Sequence, residues 1–137
     1  MPSNHEKVSP DAKVKKAVNS VYGKKTDPIY GYEVDTLEAD HIMPLKEITE
    51  QSGLDQLSFE DQKAIANLEE NFMGLGKQTN ASKGAKSISA WLGHSKLGAI
   101  AEEAQQFLNQ KDEAARAAIA KAISERLERN EYLYQRD

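Results

Sequence analysis

Asp40 and His41 stand side by side in the run Asp40-His41-Ile42-Met43-Pro44, and two asparagines follow at Asn71 and Asn80. A carboxylate and a carboxamide offer hard oxygen donors. These suit a divalent cation such as Mg²⁺, which keeps several waters and accepts phosphate oxygens. An imidazole with its ordinary pKa of about 6.5 suits a general base at neutral pH. Asn80 opens the run Asn80-Ala81-Ser82-Lys83-Gly84, read as the start of a helix. If Asp40-His41 ends one strand and Asn71 precedes its antiparallel partner, a helix packed across the pair brings Asp40 and Asn80 together from opposite sides. Adjacent strand residues point to opposite faces, so His41 would face away from Asp40 and stay free to act as a base rather than a ligand.

The elements that must position these residues follow from the spacing of apolar groups. Residues 1–9, with His5, read as a polar tail. Pro10-Asp11 opens a helix running to about Val21, with Val14, Ala17 and Val18 on one face. Residues 22–32 (YGKKTDPIYGY) read as a loop, and 33–42 as an extended segment stopped by Pro44. A short helix over 45–51 ends at Ser52-Gly53. Ser58 with Asp61 three residues later caps a second helix carrying Ala64, Ile65 and Leu68. Residues 71–76 read as a turn entering a short strand, and 80–92 as a helix closed by Gly93. Trp91 reads as core and His94 as a loop residue at the helix end. Leu97, Ile100, Ala104 and Leu108 repeat on one helical face, and a last alanine-rich packing helix spans 112–130. The fold class is mainly α with a small antiparallel β-hairpin, in a single domain over 1–137 with no internal repeat or linker.

Composition excludes several chemistries. There is no cysteine among 137 residues, hence no disulfide framework, thiolate zinc site or cysteine nucleophile. No apolar run approaches the ~20 residues of a membrane span, and Met1 to Lys16 lacks the apolar core of a secretory signal. A formal charge of −4 argues against a protein that coats itself in nucleic acid through bulk charge. The distribution is more informative. Residues 71–100 carry Lys77, Lys83, Lys86 and Lys96 and no acid, whereas 41–70 carry two lysines against seven acids. The basic stretch is the one that contains Asn80.

The fragments Asp40-His41-Ile42-Met43-Pro44, Glu70-Asn71-Phe72-Met73-Gly74-Leu75 and Asn80-Ala81-Ser82-Lys83-Gly84, in that order, resemble the HNH (His-Me finger, ββα-metal) endonucleases. The resemblance implies a ββα-metal core over about 33–92, surrounded by additional helices that include an extension over 96–134. It implies that His41 takes a proton from the attacking water and that Asp40 and Asn80 hold one divalent ion. That ion is Mg²⁺ by preference, with Mn²⁺, Ni²⁺ or Zn²⁺ as alternatives. Asn71 joins the catalytic set by buttressing the loop or orienting His41. Lys83 and Lys86, with the free N–H groups of the helix start, would grip flanking phosphates. Glu38, two residues before Asp40 on the same strand face, would be an auxiliary metal group or a support to one.

The implied substrate is DNA, cut to leave 5′-phosphate and 3′-hydroxyl ends. Two departures from the family pattern are the long acidic interval between His41 and Asn71 and the asparagines where many members carry histidine. Residues 21–28 are similar to the lead-in of nuclease toxin domains of bacterial polymorphic toxins. That likeness implies a soluble domain delivered into a target cytoplasm and a cognate immunity protein as partner. Two other readings stay open: a catalytically idle ββα module that binds DNA or protein, and a metal-dependent RNase.

Overall fold

The computed structural model describes residues 10–20 and 22–136; the tail with His5, and Val21, lie outside them. Asp11 caps α1 (Ala12–Val18) by accepting the Val14 N–H at 3.0 Å, and Val14 is the residue it buries. β1 (Lys25–Thr26) pairs antiparallel with β2 (Glu33–Val34). β3 (Glu38–His41) pairs antiparallel with β4 (Phe72–Leu75), setting Asp40 opposite Met73 and His41 opposite Phe72. Between those strands lie α2 (Leu45–Thr49) and α3 (Phe59–Ala66). Ser58 caps α3 through the Asp61 N–H at 3.1 Å, as its spacing predicts. α4 (Lys77–Lys83) follows β4 directly, and α5 (Glu102–Arg136) closes the chain. Over the described residues the molecule is mainly helical with two small antiparallel β pairs. Among the described residues, no helix is long and apolar enough to cross a membrane.

Four expectations are corrected by the structure. The extended segment 33–42 is two strands in two sheets, because the chain turns through Asp35 and Thr36 and Leu37 is held by Asn19. The loop read over 22–32 contains β1, which supplies the partner for β2. The helix expected over 80–92 spans 77–83 instead. It starts early because the Tyr32 hydroxyl accepts the Thr79 N–H at 3.0 Å, satisfying a helix-start donor. It stops at Gly84, whose φ of +53° is the left-handed conformation that glycine adopts cheaply. The two C-terminal helices are one. No glycine or proline interrupts 101–136, and the left-handed Gly98 keeps residues 97–100 out of it.

Two cores lie along α5. Ala104, Leu108 and Ala115 pack with Ile29, Ile42, Met73, Leu75, Ile88 and Trp91 beneath the β3–β4 pair. Ile119, Ala122 and Ile123 pack with Met43, Ile48, Leu54, Leu57, Ile65 and Ala66 beneath α2 and α3. The neighbours Ile42 and Met43, both fully buried, enter different cores. Trp91 is core, as its sequence context suggests, and its indole N–H donates to Ser82 Oγ at 3.0 Å.

Candidate active site

Strand alternation divides the β3–β4 pair into two faces. Glu38, Asp40, Met73 and Leu75 point one way, toward α4 and the Trp91 core. Ala39, His41, Phe72 and Gly74 point the other way, toward α1 and the end of α3. Gly74 is needed for that approach, since a Cβ there would stand 2.9 Å from Leu37 Cδ1 and 3.1 Å from Val18 Cβ.

Two carboxamides hold β3 at its ends. Asn19 Nδ2 donates to the Leu37 carbonyl at 2.9 Å, and Asn19 Oδ1 accepts the Leu37 N–H at 2.7 Å. At the far end, Asn71 Oδ1 accepts the Met43 N–H at 2.7 Å, and Asn71 Nδ2 donates to the Met43 carbonyl at 3.0 Å. Each amide satisfies both backbone groups of one residue, much as a neighbouring strand would. Asn71 is fully buried, so these bonds carry the full cost of desolvation if they are lost. It buttresses the chain just past His41 and makes no hydrogen bond to the imidazole among the described residues.

On the α4 face, helix and strand run alongside one another, so Asn80 meets Glu38 and Lys83 meets Asp40. Asn80 Nδ2 donates to Glu38 Oε1 at 2.7 Å at the exposed edge. Lys83 Nζ lies 2.7 Å from Asp40 Oδ2 with both side chains buried, 0% and 5% exposed, and it also donates to the His41 carbonyl at 3.1 Å. The contact with Asp40 is one of charge; Oδ2 has no aligned hydrogen bond. Burial pushes the Asp40 carboxyl up to about 6, and the Lys83 ammonium pulls against that rise.

This arrangement corrects two expectations about the helix. Asn80 stands in the middle of α4 rather than at its start. Lys83 ends the helix on its buried side, so its ammonium is spent on Asp40 and is not presented to flanking phosphates. Lys86 remains exposed just beyond the helix, its Nζ 3.5 Å from the Ser82 carbonyl.

On the opposite face, the His41 ring packs on its cross-strand partner Phe72, with centroids 4.3 Å apart. Its Nε2 lies 3.1 Å from the Ala66 carbonyl at the end of α3. A carbonyl only accepts, so the neutral ring carries its proton on Nε2 and leaves the Nδ1 lone pair open. Nδ1 has no hydrogen-bond partner among the described residues. Burial brings the His41 pKa down to about 4, helped by the nearby Lys83 charge and opposed by the Ala66 bond. The ring is therefore neutral at physiological pH, the state a general base needs.

Several positioning groups escaped the sequence reading. Asp27 is buried; its Oδ1 accepts the Gly76 N–H at 2.8 Å, and its Oδ2 accepts the N–H groups of Ile29 and Tyr30. It ties the 22–32 segment to the start of α4. The Tyr32 hydroxyl also bonds Thr79 Oγ1 at 2.9 Å, and a Cβ at Gly76 would collide with that ring. The Tyr30 hydroxyl accepts the His94 N–H and donates to the Gly98 carbonyl, both at 2.7 Å. His94 thus sits in a loop, its Nδ1 accepting the N–H groups of Lys96 and Leu97. The Asp27-Pro28 turn signal and the aromatic run were visible in sequence; their distant partners were not.

For a metal ion, the donor set is oxygen: the Asp40 and Glu38 carboxylates and the Asn80 amide oxygen. Among the described residues, no cluster of three or more His, Cys, Asp and Glu side chains could hold a metal. The oxygen set fits a hard ion that retains water, and the buried Asp40 Oδ2, without an aligned hydrogen bond, fits a cation partner. Compared with known proteins, the chain matches no family model, no curated protein and no solved structure.

Proposed function

We propose that this chain is a metal-dependent endonuclease of the HNH type that hydrolyses phosphodiester bonds in DNA. The observation that carries the reading is the division of labour on β3. His41 is neutral, held through Nε2 on one face, and the oxygen donors Glu38, Asp40 and Asn80 gather on the other. The strand–strand–helix order of β3, β4 and α4 agrees with the motif resemblance.

In this reading, water gives its proton to His41 Nδ1 while Nε2–H stays on the Ala66 carbonyl, so the ring does not rotate as its charge changes. A divalent ion such as Mg²⁺, held by Asp40 and Asn80 with Glu38 beside them, would supply Lewis-acid stabilisation of the leaving oxygen. Asn71 keeps the chain after His41 in place, and Lys86 is the lysine left to meet a flanking phosphate. The low His41 pKa makes it a weak base in the free protein; a bound phosphodiester monoanion nearby would raise it toward neutrality. The resemblance of 21–28 to toxin lead-ins extends the proposal to a delivered toxin domain with an immunity partner.

The Asp40–Lys83 pair favours a second reading, an idle ββα module, because the carboxylate already has a cation. Supercoiled plasmid and structured RNA, each incubated with the protein and Mg²⁺, decide between them. The proposal expects EDTA-sensitive nicking of plasmid that falls by about 10²–10⁴-fold in His41→Ala. Cleavage of RNA alone would replace DNA as substrate. Intact plasmid and RNA would favour the idle module.

A further inference from the structure

We infer that Lys83 is a built-in competitor for the metal position. Its ammonium holds Asp40 in the metal-free chain and must swing away for a divalent ion to bind. The inference rests on the metal-dependent reading above and adds a regulatory step to it. A lysine with no exposed surface is rare, and one is retained here only because a buried carboxylate faces it at 2.7 Å. The pair is a contact of charge: Asp40 Oδ2 faces the ammonium at 2.7 Å without an aligned hydrogen bond among the described residues, and the hydrogen bond of Lys83 goes to the His41 backbone carbonyl. A divalent ion on the same carboxylate would stand against an ammonium of like sign, so both cannot occupy the site.

The surroundings permit exchange by side-chain motion alone. Lys83 is the last residue of α4, next to the exposed Gly84, where even an added Cβ would meet nothing closer than the Ala81 carbonyl at 3.9 Å. The backbone of the same turn stays pinned, because Trp91 holds Ser82. The lysine stem is long enough to leave the interior at this open end of the helix, beside Gly84.

Amine footprinting of the intact protein tests this directly. With a soluble acylating ester in EDTA, Lys83 should be the slowest lysine to react, as measured by peptide mass spectrometry. Saturating Mg²⁺ should accelerate Lys83 while leaving Lys77 and Lys96 unchanged. Calorimetric titration gives the second measurement: Lys83→Met should bind Mg²⁺ about tenfold tighter than the native protein. An unchanged Lys83 rate with Mg²⁺ bound, or equal affinity in native protein and variant, overturns the competition and leaves the nuclease proposal standing. No Mg²⁺ binding by either protein overturns both.

Discussion

Asp40 and His41 are neighbours in the chain, yet the two faces of β3 solve the burial of an ionisable group in opposite ways. On the α4 face a charge is kept and matched by a second buried charge. On the other face the charge is given up, and a neutral ring is held by one carbonyl and one aromatic neighbour. The difference matches the roles proposed for the two side chains. A carboxylate is useful to a cation only when ionised, and an imidazole is useful as a base only when neutral. Burial alone pushes both toward neutrality, so the carboxylate needs a counter-charge and the imidazole does not.

The largest way to break the comparison is to remove one partner of the charged face. Asp40→Ala takes the counter-charge from Lys83 and should cost at most about 3–5 kcal/mol in urea unfolding, less to the extent that the ammonium swings out past Gly84, whereas Asp40→Leu combined with Lys83→Met should recover most of that loss. A double variant no more stable than Asp40→Ala would show that the pair contributes more than mutual neutralisation. Next comes the clamp both faces share. Asn71→Ala strands the Met43 N–H and carbonyl and should cost roughly 2–4 kcal/mol.

The third test uses pH. Folded His41 protonates at about 4, against 6.5 for an ordinary imidazole, so its contribution is full above 6.5 and is lost as pH falls toward 4. Asp40 runs the other way. Its folded pKa of about 6 against 3.8 gives a contribution present at low pH and lost as pH rises through 6. The two slopes oppose each other, so native stability should be nearly level between pH 4.5 and 6. His41→Gln should unmask the Asp40 slope and gain relative stability on acidification. Parallel curves for the two proteins would refute the assignment.

The smallest effect belongs to the solvated pairs on α5. Arg116 meets Glu47 and Asp112 at a partly exposed position, and Arg116→Ala should cost less than about 1 kcal/mol, several-fold below the buried pair.

Local features of the chain were readable in advance because their causes are local. Ser58 and Asp61 form a cap within one turn, and the apolar repeat that ends in α5 needs no distant partner to be recognised. The motif residues at 40, 41, 71 and 80 pointed to the two elements that do come together, β3 and α4. Lys83 was misread for a physical reason. A lysine in a basic stretch is normally solvated, and only the phase of α4, set by Tyr32 and Gly84, turns Thr79 and Lys83 inward together. The clamp made by Asn19 and the staple made by Asp27 rest on long-range hydrogen bonds to Leu37 and Gly76, which leave no periodic trace in a sequence.

The segment 42–71 is an acidic interval with a hydrophobic cluster of its own. Its own hydrophobic contacts give it a kinetic part to play. His41 and Phe72 can meet only after the whole of that segment is closed as a loop, and closure entropy opposes the event more as a loop lengthens. Ile48, Leu54, Leu57 and Ile65 pack against one another as well as against α5, so contacts short in sequence compact the loop that the strand pairing must close. The interval thus lowers, by its own packing, the cost of closing the loop that separates the two strands of the site.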